Sequence, residues 1–176
     1  MIMRTLNTMT FLICLLTALP SISQDRIGFA VYQDARLGII GDKEHGYKAG
    51  TMDVLIRLKM QGKQQKYGYM TVFPEFEYAE IQGLYKRWSI NAGYAFNRLF
   101  VRNTEASISI GFGLMDRYSM GFLSMGANGE LAYKITDGFK IAANFQLVQR
   151  KDLDYMWGGN NIRLSGHVGI EIKIWK

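Results

Sequence analysis

From Met52 onward the apolar and polar positions alternate residue by residue. Met52, Val54, Ile56, Leu58 and Met60 share one face of an extended segment, and Asp53, Leu55, Arg57, Lys59 and Gln61 share the other. A period of two is the signature of a strand, in which successive side chains point to opposite faces. The alternation returns between Tyr67 and Tyr78, Arg87 and Phe96, Ala106 and Leu114, Ser124 and Lys134, Phe139 and Leu147, and Ile162 and Ile174. A weaker segment, Arg26 to Asp34, precedes them and brings the expected number of strands to eight, with no helical period needed anywhere after residue 23. The connector Gly62-Lys63-Gln64-Gln65 predicts a hairpin between the second and third strands.

Alternation alone fits a soluble sandwich or lipocalin-like binding barrel, whose apolar face points into a core. Length and charge separate the cases. The segments run about ten residues, enough for a tilted strand to cross a bilayer, whereas globular strands average about five or six. On the polar face Asp53, Glu75, Glu77, Glu105, Glu130 and Glu171 nearly balance Arg57, Lys59, Arg87, Lys134, Lys140, Arg163 and Lys173, as expected of groups facing one another across a narrow interior. The apolar face carries no charge, and Tyr78, Trp88, Tyr94, Phe96, Tyr133 and Phe139 sit toward strand ends, where an interfacial girdle belongs. In hydrocarbon an unpaired backbone N–H or C=O costs several kcal/mol, so strands span only as a closed barrel. The expected fold class is therefore all-β: an eight-stranded antiparallel up-and-down transmembrane β-barrel. The interior of such a barrel is just wide enough for side chains to fill, which predicts a lumen charge network of Arg57, Lys59, Glu75, Glu77, Arg87, Glu105, Glu130, Lys140, Arg163, Glu171 and Lys173 rather than an open pore.

The connections Arg36 to Ala49 and Lys151 to Asn161 are the longest, and those after strands two, four and six are shorter, which predicts a periplasmic N-terminus with the long loops facing outward. Pro74 lies inside the third strand, where its missing donor predicts a bulge or an interruption of pairing.

Residues 1–23 differ from the rest. Arg4, an apolar core from Met9 to Leu19, Pro20, Ser21 and Ser23 read as a cleavable signal peptide cut near Ser23, leaving residues 24–176 as the barrel domain. The single cysteine, Cys14, leaves with that leader, so stability in an exported setting must come from backbone pairing and burial rather than disulfides. The formal net charge is +6, but the bases are dispersed among acids without a basic block, which excludes a nucleic-acid signature.

The chain resembles the small eight-stranded outer-membrane barrels of the OmpX and OmpA transmembrane-domain type. The last strand carries the resemblance to that family's assembly signal: His167, Gly169, Ile172 and Ile174 fall at its spacings, although the family ends on an aromatic and here Trp175 is followed by Lys176. The resemblance implies a bacterial outer-membrane location, contact with outer-membrane lipids and lipopolysaccharide, and recognition of the last strand by the assembly machinery. It also implies a structural or adhesion-like role through surface loops, where Tyr155, Met156 and Trp157 are candidate contacts.

Candidate chemistry is sparse. Ser165, His167 and Glu171 project from one face of the last strand, but neighbours two apart on a strand are separated by about 6.5–7 Å, too far for a nucleophile and its base. The resemblance to lipid A hydrolases of the PagL type is poor, because their His-x-Ser order is reversed here. Asp42, Glu44 and His45 offer metal-ligand atoms in the first long loop, with a solvated loop the competing reading. No phosphate-binding glycine loop and no paired-cysteine metal site occur, so the expectation is a non-enzymatic protein without cofactor or metal.

Overall fold

The computed structural model describes residues 24–41, 46–81, 83–97, 103–159 and 161–175. The leader assigned to residues 1–23 and the loop residues Asp42, Glu44 and His45 lie outside the described residues. Eight strands form one closed barrel in sequence order: β1 (Gln24–Asp34), β2 (Asp53–Gly62), β3 (Gly68–Ala79), β4 (Tyr85–Asn97), β5 (Thr104–Arg117), β6 (Met120–Thr136), β7 (Phe139–Gln149) and β8 (Ile162–Trp175). All neighbours are antiparallel, and β1 closes on β8 with Phe29 opposite Ile172 and Asp34 opposite His167. Closure leaves no sheet edge to expose unpaired amides.

The barrel is apolar outside and ionic inside. Along β5, Ile108, Ile110, Phe112 and Leu114 are each more than half exposed, while Arg57, Arg87, Asn91, Asn144 and Gln146 are fully buried. This inverts the polarity of a soluble barrel and excludes the lipocalin-like alternative, in which the apolar face would fill the centre. Aromatic pairs lie on the outer surface near both ends: Phe76 with Trp88 at 4.3 Å and Tyr94 with Phe96 at 4.9 Å between ring centroids.

The structure departs from the sequence reading in two places. Two short helices, α1 (Ala35–Ile39) and α2 (Lys151–Trp157), occupy the two longest connections, where no helix was expected. Asp34 caps α1 by accepting a hydrogen bond from the Leu37 amide at 2.9 Å, so the inward phase of β1 and the start of the helix meet in one residue. The β5–β6 connection shrinks to Tyr118 and Ser119, both at positive φ. Such a two-residue turn normally advertises itself with Asn or Gly, and here it does not. At Pro74 the expected disturbance takes the form of interrupted pairing rather than a bulge. The proline pairs with Ile90 of β4, and on the β2 side the pairing lapses between Arg57–Glu75 and Met60–Val72 without a change of register. The missing donor is therefore absorbed by a local gap in one ladder.

Small residues admit the large interior groups. Gly169 lies opposite Tyr32, and a Cβ there would collide with the Tyr32 ring and the Val31 carbonyl. Placing a charge on the outer surface tests the inside-out assignment. Ile110→Arg, at mid-barrel, is expected to lower folding stability in lipid vesicles by about 2–4 kcal/mol, while Trp175→Arg at a strand end costs about 0–1 kcal/mol, measured by denaturant titration. Equal small costs at both positions would remove the bilayer from the outer surface.

Candidate functional site

The interior is built in layers set by strand register. At the end where β1 begins and β8 finishes, Lys59 sits between Glu130 and Glu171, donating to Glu171 Oε2 at 2.9 Å. Lys140 bridges Glu105 and Glu171, each at 3.0 Å. Tyr69 donates to Glu105 Oε1 at 2.6 Å and Tyr32 to Glu130 Oε2 at 2.8 Å. Cross-strand pairing of Lys140 with Glu171 places both partners at one level.

The middle layer centres on Glu75. Its carboxylate accepts from Arg57 Nε at 2.6 Å and Arg87 Nη1 at 2.9 Å, and from Ser89 Oγ and Gln146 Nε2 at 3.1 Å each. Arg57 spends its remaining donors on Glu130 Oε2, Asn144 Oδ1 and Asn128 Oδ1 at 2.9–3.1 Å, reaching across the lumen from β2 to β6 and β7. Its guanidinium also lies over the Tyr32 and Phe73 rings, 4.9 and 5.0 Å from their centroids. Planar, multiply donating arginine suits this position in a way that lysine would not.

At the loop end, Arg163 donates to Asp53, Tyr85 and Glu77, and Tyr85 donates to Glu77. Three guanidinium groups gather on the Tyr85 ring: Arg150 at 4.2 Å, Arg117 at 5.4 Å and Arg163 at 6.0 Å from its centroid. Asp152 of α2 reaches down to them. Arg150 grips it through two parallel bonds of 2.9 and 2.8 Å, and Arg117 Nε lies 2.9 Å from its Oδ2. The α2 turn is thereby fastened over the barrel mouth. Burial alone would raise the Asp152 carboxyl, but the Arg150 hydrogen bond and the charges of Arg150 and Arg117 outweigh it and hold the group below the ordinary aspartate range.

Of the eleven residues expected in the lumen network, ten take part in these contacts, and Lys173 lies half exposed at the terminal rim beside Asp137 and Glu171. Among the loop candidates, Tyr155 is exposed and packs its ring 5.7 Å from that of Phe122, and Met156 is half-buried. The side chain of Trp157 lies outside the description. Ser165, His167 and Glu171 all point inward but are not assembled together: Glu171 is held by Lys59 and Lys140, and His167 faces Asp53, with Nε2 3.5 Å from Asp53 Oδ1. Sequence reasoning missed Asp34, Arg117, Arg150 and Asp152 as interior groups. Extending the phases of β1, β5 and β7 to Asp34, Arg117 and Arg150 would have found the first three.

No protein-family model and no characterised protein sequence matches the chain. Its fold is shared with the Yersinia pestis outer membrane protein Ail, described in a phospholipid bilayer nanodisc, at a TM-score of 0.54 and 12% identity over 85% of this chain and 99% of that one. Neisserial surface protein A is also similar, at 0.47 and 9% over 85% and 96%. So are designed transmembrane β-barrels, at 0.47 and 10% over 84% and 92%. The likeness to Ail is one of fold. Together with the apolar exterior and ionic lumen, it marks the chain as an eight-stranded membrane-spanning β-barrel.

Two expectations follow from this geometry. Glu75→Gln leaves Arg57 and Arg87 short of a counter-charge in a closed interior and is expected to cost about 3–5 kcal/mol, read as a lower denaturant midpoint in micelles. A cost below about 1 kcal/mol would show that water screens the lumen. Asp152 has a lowered folded-state pKa, so its contribution to stability is complete above the unfolded-state value and disappears as pH falls through the folded one. The protection of the Leu153 and Asp154 amides, which donate to the Arg150 carbonyl, against hydrogen exchange, taken relative to an unstructured peptide at the same pH, should therefore fall on acidification and already be low at neutral pH in Asp152→Asn. Pairing indifferent to both changes would separate α2 from the arginine cluster.

Proposed function

We propose that the protein is an envelope barrel whose lumen is filled and whose work is done by its loop end, as a structural and adhesion-like surface protein rather than a pore or an enzyme. One observation supports this reading above the others. The lumen is occupied by crossing ion pairs, whereas the loop end displays large apolar side chains: Ile39 is 78% exposed, Tyr155 71%, Ile40 67% and Tyr118 64%. Apolar groups presented together at a loop surface mark contact sites for a partner or a lipid headgroup layer. On this reading the loop end faces outward, lipopolysaccharide packs around the barrel, and the assembly machinery engages β8, the strand that closes on β1.

The filled interior supports a non-conducting state, because moving an ion through it would require parting Glu75 from two arginines. The separation of Ser165, His167 and Glu171 into different contacts favours the non-enzymatic reading over lipid A hydrolysis.

Bacteria displaying the full chain should adhere to cultured epithelial cells more than bacteria lacking it, and the double variant Ile39→Ser, Tyr155→Ser should lose most of that excess while keeping the heat-dependent gel shift of a folded barrel. Adherence unchanged by the double variant would end the loop-contact reading. In parallel, Ser165→Ala should leave the lipid A mass profile of the host unaltered; loss of a deacylated species would restore the hydrolase.

A further inference from the structure

The level of the lumen just beneath α1 contains a cluster that the ionic layers use only in part. Asp34, Asp53 and His167 come from β1, β2 and β8, adjacent strands whose pairing puts Asp34 directly opposite His167. All three are buried, and one donor atom from each lies within 4.8 Å of the others. His167 is 1% exposed, and neither ring nitrogen has a hydrogen-bond partner; Asp53 Oδ1, aimed at Nε2, has none either. Beyond this mutual approach at 3.5 Å the imidazole and Asp53 Oδ1 meet no other group, and Nδ1 meets none, a costly state in a closed interior that a ligand would relieve.

The surroundings orient the carboxylates. Asp53 gives Oδ2 to Arg163 and keeps Oδ1 toward His167. Asp34 gives Oδ1 to the Leu37 amide, and its Oδ2 lies 3.8 Å from Arg163 Nη2. Each carboxylate thus has one oxygen tied by a supporting donor, as ligand carboxylates commonly do. Arg163 carries one positive charge and divides it among Asp34, Asp53 and Glu77, so the cluster retains excess negative charge.

We propose that Asp34, Asp53 and His167 form a binding site for a divalent transition-metal ion, with one imidazole nitrogen and two carboxylate oxygens as protein ligands. This donor set suits zinc, whose nitrogen and oxygen ligands stand at about 2.0–2.2 Å. In a tetrahedral shell such ligands lie about 3.3–3.6 Å apart, so closure on the ion draws the donor atoms, now within 4.8 Å of one another, together by up to about 1.5 Å. Because Asp34 also caps α1, the ion pins the first long loop to the barrel wall, which fixes Ile39 and Ile40 at the surface used in the proposed function. The site itself stands independently of that function.

The chain has two histidines, His45 and His167, which makes the test decisive. Untagged barrel in detergent micelles is titrated with zinc chloride by calorimetry. The wild type and His45→Gln are expected to bind one ion each with similar affinity, while His167→Gln and Asp53→Asn weaken binding by at least about 100-fold. X-ray absorption of zinc-loaded His45→Gln, in which His167 is the only imidazole, should show one imidazole in an otherwise oxygen shell. That spectrum decides the matter even if the His167 variant fails to fold. The proposal is overturned by absence of saturable binding in the wild type, by loss of binding in His45→Gln, by a spectrum lacking imidazole, or by wild-type affinity in His167→Gln.

Discussion

A charge buried inside a closed barrel is cut off from bulk solvent, so the cations of this lumen are met by carboxylates brought from other parts of the chain. Glu75 carries the largest share of that requirement, accepting from Arg57 on β2, Arg87 and Ser89 on β4 and Gln146 on β7. The bonds from Arg57, Arg87 and Ser89 reinforce ladders that already pair, while the bond from Gln146 and those of Arg57 to Glu130, Asn144 and Asn128 cross the lumen and tie together strands that never pair. The backbone ladders fix neighbours and the ionic layer fixes diameters. Buried ion pairs add little net stability compared with an apolar filling, but an unmatched one is expensive, and the layer therefore specifies a single arrangement of the eight strands. The interior aromatic groups serve the same end: Tyr32 and Phe73 lie against the Arg57 guanidinium, and Tyr32 and Tyr69 donate hydrogen bonds to Glu130 and Glu105.

The same constraint shapes the loop end. The wall of the barrel delivers Arg117, Arg150 and Arg163 to one ring, that of Tyr85, and their charges need acids from above and below. Glu77 and Asp53 answer from the strands, and Asp152 answers from α2. The short helices over the mouth are thus held by ion pairs and a cap together with one buried leucine each, Leu37 and Leu153. This explains how a five-residue and a seven-residue helix persist where isolated helices of that length would not. It also links the surface that displays Ile39, Ile40 and Tyr155 to the lumen chemistry, so the loop end is presented on a rigid base.

Much of the barrel was legible because strand period, strand length and charge placement agree. The strand centres are as read; the ends run longer, as in β6, which extends from Met120 to Thr136 and not only from Ser124 to Lys134. The ends were lost where the turn lacked its usual residues, at Tyr118 and Ser119. Pro74 was read as a threat to its strand, and the structure confines the damage to one ladder. The lumen residues were found by phase, but their partners were not, since Arg57 and Glu130 stand 73 positions apart. Likewise His167 was weighed against Ser165 and Glu171 on its own strand, when its near neighbours are Asp34 and Asp53 on the next two.

The order of residues by itself determined which side chains face hydrocarbon and which face the axis, because a pleated strand gives every residue one of two directions and the alternation leaves no choice. It also determined the number of strands, through the spacing of the alternating segments. Only the tertiary structure decided which charges meet, since closing β1 on β8 and setting the stagger of each pair brings together groups from distant strands. The α1 and α2 turns belong to that second category: neither has a period of its own, and each exists because the closed barrel supplies the ions and the cap that hold it.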